Sequence, residues 1–265
     1  FGCDINPLSV VLTRPRLRPP DPEGVGERLR GIDFRAHDEF PEDLLVFYHP
    51  ETLVEICALK RYLRYRHAEG TADAVDEWIT LVALNRLTGH SAGFFSVYSL
   101  PPNQAVSVKS QRRINARRQQ SPPRRHVPAL ILKKSNYLLA ECDAALRQRL
   151  AGLAARAQLL TQPAHHTPEI AAGAVDLVVT SPPFLNVVDY ATDNWLRCWF
   201  LGIDAQSVRL SQLRKVVDWQ KAMTDVFYEL HRVLRPGGHV AFEVGEVHGG
   251  ATRLEEAVVP CGMAA

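Results

Sequence analysis

Asp176-Leu177-Val178-Val179-Thr180-Ser181-Pro182-Pro183-Phe184 sets a short apolar, β-branched run directly before a serine, two prolines and an aromatic ring. The apolar run has the character of a buried strand in a parallel sheet. Pro182 and Pro183 lack the N–H that a central strand must donate, so the chain leaves the sheet at Ser181. Open α/β sheets bind ligands beyond the C-terminal ends of their strands. A stiff Ser-Pro-Pro-Phe loop in that place offers a hydroxyl, carbonyls without competing N–H groups, and a ring face. That set suits a planar heterocycle carrying an amino group. The plainer reading is a proline-punctuated strand end of the kind any α/β domain can contain.

The flanks extend the sheet. Phe1-Gly2-Cys3-Asp4-Ile5-Asn6-Pro7 reads as the end of a strand, an acidic residue and a helix start. Asn6 suits the N-cap and Pro7 the first helical position. An acidic residue after the second strand of a Rossmann-like sheet commonly accepts hydrogen bonds from a ribose, and Asp4 occupies that place. Simple capping is its alternative role. Ala157–Thr161 reads as a further short strand. Asp218 is expected to cap a helix running to Leu234. Arg235-Pro236-Gly237-Gly238 ends that helix, and His239–Val244 is the next strand, with the glycines as turn residues. No Gly-x-Gly-x-x-Gly motif occurs.

Between these flanks the chain changes character. Pro19-Pro20-Asp21-Pro22 breaks out of the sheet domain, and residues 18–48 show little periodicity. Leu53, Ile56 and Leu63 mark a helix opened by Pro50. Val75, Trp78, Ile79, Val82 and Leu87 mark a second over 71–88, stopped by Gly89, so a helical hairpin is expected. One helix is expected over 136–156 from Leu138, Leu139, Cys142, Leu146, Leu150 and Leu153. Thr192 or Asp193 is expected to cap a helix whose aromatics, Trp195, Trp199 and Phe200, are mostly core.

Charge is segregated along the chain. From Trp78 to Ala140 there are ten Lys and Arg and no Asp or Glu, so a chain of net charge +2 carries −8 elsewhere. A basic segment set in an acidic body is a footprint of polyanion binding. Arg112, Arg113, Arg117, Arg118, Arg124 and Arg125 are candidates for phosphates. Asn103, Gln104, Gln111, Asn115, Gln119 and Gln120 are candidates for base edges. A solvated charged loop is the alternative.

At 265 residues the chain fits one large α/β domain, or one with a sizeable insertion. It has no apolar run of about 18 residues, so no membrane span is expected. Five scattered cysteines without a Cys-x-x-Cys pair argue for free thiols in a reducing cytoplasm, against a disulfide framework or zinc site. His165-His166 reads as a solvated loop. Phe1 opens as though a strand were already in progress, and the C-terminus has no stop signal, so a fragment is expected.

Thr180-Ser181-Pro182-Pro183-Phe184 resembles the catalytic motif of DNA amino-methyltransferases, the S-adenosylmethionine (SAM) enzymes of the cytosine-N4 and adenine-N6 type. The motif is Ser/Asp/Asn-Pro-Pro-aromatic, and its Ser form is most often seen in cytosine-N4 enzymes. The resemblance covers about residues 1–17 and 157–250. It implies an α/β fold, a Rossmann-like methyltransferase sheet incomplete at both ends, with a largely helical, basic insertion. The catalytic domain would span 1–17 and 136–265, and 18–135 would be the target-recognition region. The glycine-rich cofactor loop of the family would lie upstream of Phe1. Gly2-Cys3-Asp4-Ile5-Asn6-Pro7 is similar to the family's ribose-contacting segment, which assigns Asp4 and Asn6 to the cofactor. Ser181, Pro182, Pro183 and Phe184 would be catalytic. Asp189 and Tyr190, similar to an Asp-Tyr segment of the family, would line the base pocket. Gln162-Pro163 departs from the acidic or small polar residue that usually touches the adenine. Expected partners are double-stranded DNA and a restriction endonuclease. Methylation of adenine N6, of RNA or of a protein amide, and a non-catalytic DNA-binding role, are the alternatives.

Overall fold

A computed structural model describes residues 1–35, 40–99, 105–183, 185, 190–205, 213–247 and 252–265. The chain folds as two compact units. One comprises Phe1–Pro7, Leu159–Tyr190 and Val208–Ala265; the other comprises Leu8–Gln158 and Ala191–Ser207. These limits differ from the expected boundaries at 17/18 and 135/136, because the helices on either side of those points pack with the helical unit.

The helical unit starts with α1 (Pro7–Leu17) and α2 (Pro22–Arg30). The second falls where little periodicity is legible. Asp21 caps it by accepting from Glu23 N–H, Pro22 takes the first position, and Val25 and Leu29 are buried. A 3-10 turn at Glu42–Val46 leads into α3 (Pro50–Ala68), which buries Leu53, Ile56 and Leu63 as its spacing predicts. α4 (Ala74–Leu84) opens with a reciprocal Asp73/Asp76 capping box and ends at Asn85, not at Gly89. Gly89 instead lies so close to Phe94 that a Cβ would meet its ring at 2.4 Å. α5 (Val108–Arg118) and α6 (Val127–Leu139) carry the basic segment. The helix expected over 136–156 is two helices, α6 and α7 (Ala144–Ala154), because Asp143 caps the second by accepting from Leu146 N–H. α8 (Tyr190–Leu201) starts before Thr192, and buries Leu196 and Phe200 in the helical core. That core is centred on Phe47, Tyr48, Leu53, Ile56, Leu59, Ile79 and Phe95.

Within this unit one carboxylate binds three helices. Asp76 has no side-chain exposure. It pairs with Arg28 of α2 and, at 3.0 Å, with Arg66 of α3. Arg28 also reaches Asp73 at 2.7 Å. Two guanidinium groups thus compensate a fully buried acid, and removing either side would leave the other without its partner.

The second unit holds the strands. Among the described residues there are two two-stranded parallel sheets and one antiparallel pair. β1 (Gly2–Cys3) pairs with β2 (Leu159–Leu160). β3 (Val175–Thr180) pairs with β4 (Leu234–Phe242). β5 (Glu246–Val247) and β6 (Thr252–Arg253) form the antiparallel pair. α9 (Val216–Val233) and α10 (Leu254–Ala264) complete it. Asp218 lies in the first turn of α9, whose N-cap is Lys215. β4 starts directly at Leu234. Its register against β3 jumps from Val175↔Leu234 to Leu177↔His239, and Gly237 (φ +79°) and Gly238 turn the chain within that bulge. A Cβ on Gly238 would sit 3.2 Å from Asp176 O.

β3 is not the buried strand its composition suggests. Leu177 is 57% and Val179 75% exposed, whereas Val178 and Thr180 are half-buried. In register across β4, Val240 and Phe242 share the covered face, where Phe227 of α9 stacks on Phe242 with ring centroids 4.9 Å apart. Among the described residues, one face of the sheet is covered and the other is open.

The loop before β3 is tied to α9. Glu229 accepts from Thr167 N–H and Oγ1–H, while Arg232 donates to the carbonyls of Thr167 and Ile170 at 2.9 Å and pairs with Glu229 at 2.7 Å. Arg232, then Thr167, holds the Glu229 carboxyl down at about 2 from its ordinary 4.5. A depressed folded-state pKa contributes stability in full above about pH 4.5, and loses it as pH falls toward 2. Glu229→Gln is expected to cost about 2 kcal/mol at neutral pH, the worth of hydrogen bonds to a charged acceptor. Denaturation midpoints measured across that window should fall steeply for the parent and less steeply for the variant; parallel curves would remove Glu229 from the account.

Candidate active site

β3 ends where the sequence predicts. The Thr180 carbonyl still accepts a ladder-like bond from Glu243 N–H at 2.9 Å, and the chain then leaves the sheet. Ser181 is exposed, Pro182 buried and Pro183 half-buried. Trp219 Nε1 of α9 donates to the Pro183 carbonyl at 3.1 Å. Leu185, 1% exposed, plugs into a small core with Trp219, Met223, Leu254 and Cys261. Proline stiffness, one indole hydrogen bond and one buried leucine thus fix both sides of the turn, and Ser181 is held at its solvent side. No described residue pairs with the Ser181 hydroxyl. Sequence reasoning missed Trp219, and only its place in the apolar pattern of α9 hinted at it. Phe184 and Asp189 lie outside the described residues. Tyr190 opens α8.

Asp4 follows β1 directly and is exposed. Its backbone continues the pairing with β2, donating to Leu160 O at 3.1 Å and accepting from Gln162 N–H at 3.2 Å. Its carboxylate accepts from Asn6 N–H at 2.8 Å, which orders the start of α1. The capping role is therefore present. Asp4 and Ser181 each stand just past the C-terminal end of a parallel strand in the same unit.

The arginine candidates fare unequally. Arg112 pairs with Asp43 at 2.7 Å. Arg124 pairs with Glu51 at 2.9 Å and with Glu55. Arg118 stacks over the Tyr98 ring, 3.7 Å from its centroid. Arg125 is half-buried, and its backbone exchanges hydrogen bonds with Thr52 Oγ1. Arg113 and Arg117 are exposed, with no ion-pair partner among the described residues. The acid-free window is thus partly neutralised by acids from residues 43–55.

Three proposed base readers are corrected. Gln111 is fully buried and donates to Tyr98 O at 3.0 Å and to Asn115 Oδ1 at 2.8 Å. Asn115 donates to Val46 O at 2.7 Å, and Gln120 to Tyr98 O at 3.0 Å. The donors of these amides are spent on carbonyls inside the unit. Gln119 is the left-handed cap of α5, and Asn103 and Gln104 lie outside the described residues. No helix among the described residues is long and apolar enough to cross a membrane.

Comparison with known proteins returned no matching family, no matching characterised protein and no matching solved structure.

Proposed function

We propose that this chain carries the base-binding half of a SAM-dependent DNA amino-methyltransferase, with cytosine N4 favoured over adenine N6 by Ser181. The observation that carries the reading is the anchored Ser181-Pro182-Pro183 turn beyond a parallel strand, its hydroxyl exposed and its far side bolted by Trp219. Parallel strands ending in a ligand loop are what a Rossmann-like sheet offers.

A base within a duplex is out of reach, so the target nucleotide has to swing out. Phe184 stacks on the extruded ring. Ser181 Oγ and the Pro182 carbonyl accept from its amino group, which turns the nitrogen lone pair away from the ring. Positioning of this kind supplies most of the rate. Asp4 is exposed and anionic past β1, which fits a ribose, although one of its oxygens already serves Asn6. SAM, when bound, supplies an electrophilic methyl group on sulfur. Arg113 and Arg117 are the arginines best free to meet phosphate.

Incubation with methyl-labelled SAM and duplex DNA is expected to give labelled N4-methylcytosine. Ser181→Ala and Phe184→Ala should each lower the rate about a hundredfold, as mispositioning does. Parental rates in both variants would falsify the site. Label on adenine alone shifts the target to N6, label in tRNA alone shifts the substrate to RNA, and DNA binding without label leaves a binding module.

A further inference from the structure

The helical unit contains a cavity of about 580 Å³ that the methyltransferase reading does not use. That volume is typical of small-ligand pockets, about 300–1,000 Å³. Its wall is aliphatic: Leu81 and Val82 from α4, Leu138 and Leu139 from the end of α6, and Leu146 and Leu150 from α7. α7 contributes no fully buried residue, so its leucines face the space without filling it.

Three cations share this wall: Arg16, Arg86 and Lys134. None has an ion-pair partner among the described residues. Arg86 sits over the Phe94 ring at 4.3 Å, and its Nε is buried without a hydrogen-bond partner. Burial disfavours the charged forms of Arg86 and Lys134, and the Arg86 charge opposes that of Lys134 further. Holding two like charges on a largely apolar wall, where the one acid, Glu141, forms no ion pair with them, is unfavourable, and a buried donor left unmet costs free energy. A bound anion offsets the first of these costs.

The remaining polar groups narrow its chemistry. Trp78 spends its indole N–H on Ser135 Oγ at 3.1 Å. Asn85 donates to Leu81 O at 2.9 Å and accepts from Arg197. Little hydrogen-bonding capacity is left for a nucleobase, and Glu141 on the same wall opposes a multiply charged phosphate.

We infer that the cavity between α4, α6 and α7 binds an amphiphilic monoanion, an aliphatic carboxylate whose head group meets Arg86 and Lys134 and whose tail lies along Leu81, Leu138, Leu146 and Leu150. The inference does not depend on the methyltransferase reading.

Calorimetric titration of the full chain with decanoate, decanol and decyltrimethylammonium tests it. Decanoate is expected to bind saturably at one per chain, decanol about a hundredfold more weakly, as loss of two charge-assisted contacts implies, and the cation not at all. Lys134→Met, at a half-exposed position that tolerates change, and Arg86→Met should each weaken decanoate about tenfold and leave decanol unchanged. Leu150→Trp, which fills the space, should abolish both. Equal affinity for decanoate and decanol, parental decanoate affinity in folded Lys134→Met, or no saturable binding overturns the inference.

Discussion

Trp219→Ala is expected to destabilise the strand-bearing unit by about 4 kcal/mol, the usual cost of removing a large aromatic from a core. Trp219 has no exposure and is the largest side chain in a core of five buried residues among those described. Among the described residues no second cluster stands behind it in that unit. The substitution also strands the Pro183 carbonyl, which loses its 3.1 Å partner. Trp219→Phe keeps most of the bulk and removes the indole N–H, so it separates the two contributions. About 1 kcal/mol is expected for that change, the net worth of one neutral hydrogen bond. Denaturant unfolding followed by hydrogen exchange of the β3 and β4 amides reads the unit directly. If the proposed chemistry is right, Trp219→Phe also slows methyl transfer more than its stability loss explains, because Ser181 is then held less firmly. Unfolding of Trp219→Ala at the parental midpoint would show that this small core does not hold the motif loop.

The second large effect belongs to the helical unit. Asp76→Ala is expected to cost about 3–5 kcal/mol, because breaking a buried ion pair leaves the partner charge uncompensated. Here two guanidinium groups, Arg28 and Arg66, lose the same acid, and the α4 capping box loses one half. Removing the arginines together with the acid is a different experiment. The triple change Arg28→Met, Arg66→Met, Asp76→Ala leaves no buried charge unpaired, since Asp73, which loses both arginines, is exposed, and it is expected to recover much of the loss. Thermal unfolding of the single, double and triple variants checks the sign. A triple variant less stable than Asp76→Ala would mean that the pairing of these arginines with Asp73 outweighs their pairing with Asp76.

Much of the helical unit was legible because its signals are local. Pro50 with Leu53, Ile56 and Leu63 predicts α3, and those leucines and the isoleucine are buried. α2 escaped notice because Gly24 and Gly26 dilute a stripe of only Val25 and Leu29, although Asp21-Pro22-Glu23 is a sound start signal. The break between α6 and α7 was hidden by leucines that keep helical spacing straight through it, and only Asp143 gave it away. The motif loop was legible as a strand exit because proline chemistry is local. Its anchor was not, since Trp219 lies far downstream. Charge misled for a related reason. A window free of acids says nothing about acids elsewhere in the chain, and Asp43, Glu51 and Glu55 come alongside Arg112 and Arg124. Side-chain amides are equally ambiguous, since Gln111 and Asn115 suit a backbone carbonyl as well as a base edge.

The pairing of Gly2 with Leu159 has a kinetic consequence. β1 meets its partner only after the chain has passed through nearly the whole helical unit. Closing so long a loop is entropically costly while the intervening chain is unfolded, and it becomes cheaper once that chain is compact. Helices built on neighbouring residues form faster than strands joined across the sequence. The helical unit is therefore expected to collapse before β1 meets β2, which would leave the placing of Asp4 a late step; pulse-labelled hydrogen exchange showing β1 amides protected as early as those of α3 would reverse that order.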